Sequence, residues 1–321
     1  MNVAEALRRW KGQPVWFVRL PGNNGDRLIQ LGSRAALSRE GIRLTTDPRR
    51  AAAIVINGGG AMTEGYRGEE WLVSASRRHP DKPLVVLPST FQLCQPARLF
   101  AALQRRPAPT VLFAREETSL RELMAAGVEQ VAEIGIDHDM AFSLRGSDFL
   151  RALGSRARER HVLIVERTDP EEFTGRKEFW SLLEKEQPPW IRAGVPAPIR
   201  RGVREALAAA RRAAFRAGAF RDAMTPFARD AREVLVQDTP SLDALPVLAA
   251  DISQTSLCDF ETFCRLMAES AAVVSTRLHV AVLAALLGKP TYLAAGPGTK
   301  IRSTYEYSLA QMPEVRLLAW R

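Results

Sequence analysis

Ser275-Thr276-Arg277-Leu278-His279 sets an arginine and a histidine two positions apart, where an apolar run gives way to an Ala/Leu-rich helical pattern stopped by Gly288 and Pro290. In extended geometry that spacing turns both side chains to one side. The start of the following helix adds a positive potential suited to a phosphate. The pair therefore reads as a site for an anionic substrate with a proton-transferring imidazole beside it. The alternative is structural, with Arg277 neutralising a core carboxylate and His279 satisfied within the fold. Asp26 closes the cluster Gly22-Asn23-Asn24-Gly25-Asp26, directly after a strand-like run and at the head of a helical pattern. It is either a helix-start residue or a carboxylate at the carboxyl end of a strand, where parallel α/β sheets bind ligands. Asn24 and Gly25 shape the same turn, whose amides could approach an anion or a sugar hydroxyl. The spacing is neither a dinucleotide fingerprint nor a P-loop.

Other strand ends carry comparable groups. Asn57 is followed by Gly58, Gly59 and Gly60, which permit close approach of a ligand or of another backbone. Arg115 follows the run Thr110–Ala114 and reads as a strand-end cation or as the partner of Glu116 or Glu117. Asp137-His138-Asp139 brackets a histidine with carboxylates, yet supplies too few ligands for a metal site, and none is expected. Lys300, in Gly296-Pro297-Gly298-Thr299-Lys300, is a flexible cation on a glycine-rich loop.

These residues need elements to hold them. Apolar runs at 14–20, 53–57, 84–87, 110–114 and 129–134 alternate with helical patterns, including 26–38 and 118–126, and Pro88 should stop the third run. A second series follows, with strands expected at 161–166, 234–237, 272–275 and 291–294 and helices at 200–218, 259–269 and 278–287. Residues 168–198 show no period and read as an insertion or loop. Alternating strands and helices indicate parallel βαβ units. The expected architecture is α/β: two Rossmann-type doubly wound domains, 1–150 and 151–321, facing a central cleft. The net charge of +9, almost wholly arginine, favours anionic partners. Its arginines are scattered or helical, without an aromatic–basic stacking pattern, so nucleic acid is not an expected partner. Three cysteines without metal spacing, no signal-like start and no long apolar span point to the cytoplasm, with peripheral contact at the inner membrane face open to the arginines.

Taken together, GNNGDRLI at 22–29, INGGG at 56–60, LPST at 87–90, AREETSLRELMAAGV at 114–128 and STRLHVAVLAALLGKP at 275–290 resemble the polysaccharide pyruvyl transferase family. GTKIRSTYEYSL at 298–309 resembles its exopolysaccharide branch, whereas Asp137-His138-Asp139 departs from the usual Asp-Pro-Ala. The resemblance implies a GT-B-like fold and phosphoenolpyruvate as co-substrate, with no cofactor. It also implies a hexose acceptor within a saccharide, lipid-linked or free, and a cyclic pyruvate ketal as product. Arg115, Arg277 and Lys300 are thereby expected on the donor, with His279 and Asp26 as acid and base. Asn24, Gly25 and Gly58–Gly60 are expected around the acceptor or its loops. The competing readings are a nucleotide-sugar glycosyltransferase of the same architecture and, more remotely, a basic protein that binds nucleic acid or anionic lipid.

Overall fold

The computed structural model describes residues 1–63, 66–155, 158–167, 197–222, 224–296 and 299–319, with the side chains at 197–200, 299, 300 and 319 left outside that description. The loop expected over 168–198 therefore lies almost entirely outside the described residues. The chain forms two compact units. One comprises Met1–Gly22, Asp26–Ser147 and Gly298–Gln311; the other comprises Asn23–Gly25, Asp148–Pro297 and Met312–Arg321. A single boundary near residue 150 misses the two short excursions.

The first unit is built on a seven-stranded sheet: β1 (Pro14–Val18), β2 (Arg43–Thr45), β3 (Ala53–Ile56), β4 (Gly59–Met62), β5 (Leu84–Phe91), β6 (Thr110–Ala114) and β7 (Glu133–Ile136). The order is β2-β1-β3-β5-β6-β7, with β4 paired to β5, and each pairing is parallel. Its helices include α1 (Val3–Arg8), α2 (Asn24–Arg39), α3 (Gly68–Arg78), α4 (Pro96–Gln104) and α5 (Glu117–Ala125). β3 is apolar throughout, β6 is apolar after Thr110, and both are fully buried, as central parallel strands covered on both faces must be. The two apolar layers divide by strand parity: Val55, Val85 and Val111 lie in one core, Ile54, Val86 and Leu112 in the other.

The second unit contains α6 (Asp148–Gly154), β8 (His161–Val165), α7 (Ala197–Arg216), α8 (Pro226–Asp238), β9 (Val247–Ala249), α9 (Phe260–Glu269), β10 (Ser270–Ser275), α10 (Leu278–Leu286), β11 (Thr291–Ala295) and β12 (Val315–Ala319). Its five parallel strands run in the order β12-β11-β10-β8-β9. Between β11 and β12 the chain contributes α11 (Thr299–Thr304) and a π-helical turn, Tyr305–Leu309, to the first unit.

Several expectations need correction. Pro88 does not stop β5. The β5–β6 register shifts between Val86 and Ser89, and that irregularity accommodates a residue without an N–H. The strand expected at 129–134 lies at Glu133–Ile136, because Gly127 at φ +68° leads into a 3-10 turn, Val128–Gln130. Val234–Gln237 belongs to α8, which begins with Thr225 accepting from the Ala228 N–H and Pro226 in the first turn. Phe227, Ala231 and Leu235 give α8 a buried helical stripe. Beyond the expected strand end at Asn57, Gly59 and Gly60 begin a further strand, β4.

His161, at the amino end of β8, is 7% exposed and its Nε2 has no hydrogen-bond partner. Burial lowers its pKa; the neighbouring Glu269 and the Leu266 backbone act the other way without overcoming it. Burial also lowers the pKa of His79. Above about pH 6.5 both folded and unfolded chains hold these imidazoles neutral. Below it the unfolded chain takes up protons that the folded chain refuses, so stability falls as pH drops towards the lowered native values. We expect the thermal midpoint to fall from pH 7 to pH 5.5, and His161→Leu to flatten that slope. An equal slope in the variant would remove His161 as its source.

Candidate active site

In each sheet the strand order reverses once, between β1 and β3 in the first and between β8 and β10 in the second. The loops beyond the carboxyl ends of such strands are the ligand-binding crevices of doubly wound sheets. Just beyond β1 and β3 lie Asp26, in the first turn of α2, and Asn57 and Gly58, which lead into β4; just beyond β10 lie Arg277 and, in the first turn of α10, His279. The sequence pattern thus put its candidate groups at both switch points.

In the first unit, Asp26 is a half-buried residue in the first turn of α2. Its carboxylate is packed among glycines. A Cβ on Gly22 would lie 2.0 Å from Asp26 Oδ2, and one on Gly59 would lie 3.6 Å from Oδ1 and 2.9 Å from Ile29 Cδ1. Gly59 also has φ +121°, a conformation other residues rarely adopt. A Cβ on Gly58 would meet the Pro88 carbonyl at 2.3 Å, so that glycine serves strand packing. Asn57 is buried, accepting from Ser33 Oγ at 2.9 Å and donating to the Gly58 carbonyl at 3.0 Å.

Arg115, directly after β6, is fully buried. Its Nη1 donates to Asp139 Oδ2 at 2.7 Å, and its Nε donates to Thr90 Oγ1 at 2.9 Å and lies 3.4 Å from Glu116 Oε2. Burial works to lower its pKa, but Asp139, Glu116 and the field of Asp26 overcome it, and the net direction is upward. Glu116, also fully buried, accepts from Thr90 at 3.1 Å, from Thr304 at 3.4 Å and from Ser119. The structure thus supplies the salt-bridge partner that the sequence left open, and adds Asp139. Thr304 belongs to α11, whose Ser303 accepts from Thr118 at 3.1 Å, so the segment carrying Lys300 is tied to the cluster that holds Arg115. The Lys300 side chain itself lies outside the described residues. Asp137, His138 and Asp139 do not converge. Asp137 accepts from the Val3 N–H, His138 faces Ser308, and Asp139 turns inward to Arg115.

In the second unit, β10 ends at Ser275, and Arg277 is the extended residue before α10. No side chain caps α10. His279 therefore lies in the first helical turn, and the alternation argument for a shared face does not apply. Arg277 is 6% exposed; its Nε donates to Asp251 Oδ1 at 3.2 Å, and its Nη2 donates to Asp251 Oδ2. Gln254 also donates to Asp251, at 3.1 Å. This two-point grip fixes the plane of the guanidinium. Asn24 is fully buried, its amide donating to the carbonyls of Ile252 at 2.9 Å and Cys258 at 2.8 Å. That geometry suits anchoring better than substrate contact. A Cβ on Gly25 would lie 2.8 Å from His279 Cβ and 3.0 Å from its Cγ, so the imidazole is seated against this glycine. Gly25→Ala is expected to cost about 1–3 kcal/mol through overpacking and to displace His279. Gly154→Ala, with nothing within 4 Å, is the harmless comparison in thermal unfolding.

Residues 259–295 match the model of the polysaccharide pyruvyl transferase family. They span α9 to β11 and include Arg277 and His279. Over this segment the chain is similar to the polysaccharide pyruvyl transferase family. The family so matched is one of transferases, and pyruvyl transfer to a polysaccharide is its activity. No curated protein matches the chain significantly. A crystal structure of a functionally uncharacterised protein from Klebsiella pneumoniae subsp. pneumoniae is similar along 100% of both chains, at 18% identity with a TM-score of 0.60. That likeness speaks for the fold alone, a Rossmann-like α/β class with parallel sheets.

Asp251, Asp139, Glu116 and Thr90 were not singled out from the sequence as functional. Thr90 lies in the LPST block and Glu116 next to Arg115, which offered signals; Asp251 and Asp139 gave none as arginine partners, because those arginines are distant in the chain.

Proposed function

We propose that the protein transfers the pyruvyl group of phosphoenolpyruvate to two hydroxyls of a hexose in an exopolysaccharide unit, releasing phosphate and leaving a cyclic ketal. The observation that carries this reading is the turn after β10, at the switch point of the second sheet and within the family match. There an arginine oriented by Asp251 and a histidine stand at the uncapped start of a helix. Phosphoenolpyruvate has a phosphate and a carboxylate on a small frame. Arg277 and Lys300 are assigned to those anions, the arginine by its planar fork and the lysine as a point charge. Arg115, buried between Asp139 and Glu116, is assigned to fixing the strand ends around Asp26 rather than to touching the donor.

In the proposed reaction His279 protonates the methylene carbon, and C2 becomes electrophilic. A sugar hydroxyl attacks C2 and passes its proton to Asp26. A neighbouring hydroxyl then displaces phosphate from C2 and closes the ring, its proton returning to His279, and cations at the phosphate stabilise its departure. The co-substrate is the only small molecule this chemistry needs. The GT-B class of the fold is part of the same proposal, supported by two parallel sheets in separate units. Among the described residues no helix is long and apolar enough to cross a membrane. The cytoplasm, where phosphoenolpyruvate is made, is the proposed compartment, with a lipid-linked acceptor at the inner membrane face.

The test is incubation with phosphoenolpyruvate and candidate oligosaccharides. Release of inorganic phosphate, with a glycan mass gain of one pyruvate less one water, is expected. His279→Gln should lower turnover by about 10²–10⁴-fold while retaining donor binding. Release of a nucleoside diphosphate from a sugar donor would overturn the reading in favour of glycosyl transfer, and near-normal turnover in His279→Gln would remove it as the acid.

A further inference from the structure

The loop after β7 and the π-helical turn Tyr305–Leu309 meet within the first unit, 170 residues apart in sequence at His138 and Ser308. His138 is exposed, and its Nδ1 lies 3.0 Å from Ser308 Oγ. Its ring centroid stands 5.1 Å from that of Tyr307 at an interplanar angle of 42°, and 5.8 Å from Phe142 at 57°. The loop presenting the imidazole is held at its base. Asp137 Oδ1 accepts from the His138 N–H, and Oδ2 accepts from the Val3 N–H, both at 2.8 Å. π-Helical turns are rare and concentrate at functional sites. Here the wide turn directs Tyr307 and Ser308 to His138, while Leu309 is buried.

The patch lies beyond the carboxyl end of β7, the ligand side of a parallel sheet. Its charge argues against the donor. Desolvation raises the Tyr307 phenol pKa, and the charges of Asp137 and Glu117 add to that rise. Their field repels a phosphate and accepts hydroxyl protons. An exposed imidazole beside the half-buried rings of Tyr307 and Phe142, edged by hydroxyl and carboxylate oxygens, matches a pyranose: the C–H face of the sugar packs on the rings, and its hydroxyls donate at the rim.

We propose that His138 and Tyr307 form the platform on which the acceptor saccharide stacks, with Ser308 receiving its hydroxyls. The inference rests on the proposed transfer to a saccharide, and its test separates the two. Saturation-transfer NMR on the full-length protein, without donor, would use methyl β-D-galactopyranoside, methyl β-D-glucopyranoside and methyl α-D-mannopyranoside. At least one should show transfer concentrated on its ring C–H protons. His138→Ala and Tyr307→Ala should each weaken that binding roughly two- to tenfold. Tyr307→Phe, which keeps the ring, should retain it. His138 is exposed, so its replacement should melt as the parent does. Absence of transfer with all three glycosides, or equal transfer in both alanine variants, would overturn the platform. Phosphate release from phosphoenolpyruvate that is unchanged in the variants at subsaturating acceptor would also remove the platform, while leaving pyruvyl transfer intact. A parent protein that binds a glycoside through these residues yet never consumes phosphoenolpyruvate would keep the platform and sink the reaction.

Discussion

Asp251→Ala should lower the thermal midpoint by on the order of 10 °C and abolish turnover. Asp251 is 5% exposed and Arg277 6%, so both charges of the pair are out of water. Removing one member of a buried pair typically costs about 3–5 kcal/mol, because the other charge stays behind in a medium that solvates it poorly. Arg277 also loses the two-point grip on Nε and Nη2, and with it a defined plane. Asp251→Asn keeps the shape and one acceptor oxygen, and should show a smaller loss of stability. Calorimetry with phosphoenolpyruvate titration of Asp251→Asn separates the two effects. A variant that melts within a degree of the parent would mean that the pair is dispensable.

Arg115→Met is expected to be comparably severe, losing about 3–5 kcal/mol at pH 8. The long apolar side chain fills the space but leaves the carboxylates of Asp139 and Glu116 buried without the guanidinium between them. Burial and mutual repulsion then push their pKa values up. Protonation neutralises them as pH falls, so the deficit relative to the parent should shrink between pH 8 and pH 5.5. A deficit that is constant across that range would place the damage in packing rather than in charge. Glu116→Gln, which leaves the Arg115–Asp139 pair whole, should cost less and loosen α11, whose Thr304 donates to this carboxylate. Limited proteolysis near residues 299–309 reads that loosening.

The strand ends were legible in sequence because a buried parallel strand is a short apolar run, and the residue after it is where chemistry collects. Arg115 after Thr110–Ala114, Asp26 after the first run and Arg277 after the Ala-Ala-Val-Val run were placed on that rule alone. What defeated local reading was tertiary. Pro88 lies inside β5 because a register shift in the neighbouring pairing removes the need for its N–H. Val234–Gln237 looks like a strand in isolation, but its helical stripe and the Thr225 cap decide for α8. Asp251 lies 26 residues before Arg277 and Asp139 lies 24 after Arg115, and no spacing announces either pairing. The sequence offered a carboxylate partner for each arginine as an alternative, and only the fold identifies Asp251 and Asp139.

The backbone passes from one unit to the other at 22/23, 25/26, 147/148, 297/298 and 311/312. Genetically, this makes the C-terminal tail shared property. A stop codon just after β11 would delete β12, the edge strand paired to β11, from the second sheet. The same stop would strip the first unit of Thr304 and Leu309, both fully buried there, and of the Ser308 contact to His138. One short truncation would thus injure both units. Nor would splitting the gene at residue 147 yield two self-sufficient halves, since each fragment would lack a piece encoded in the other.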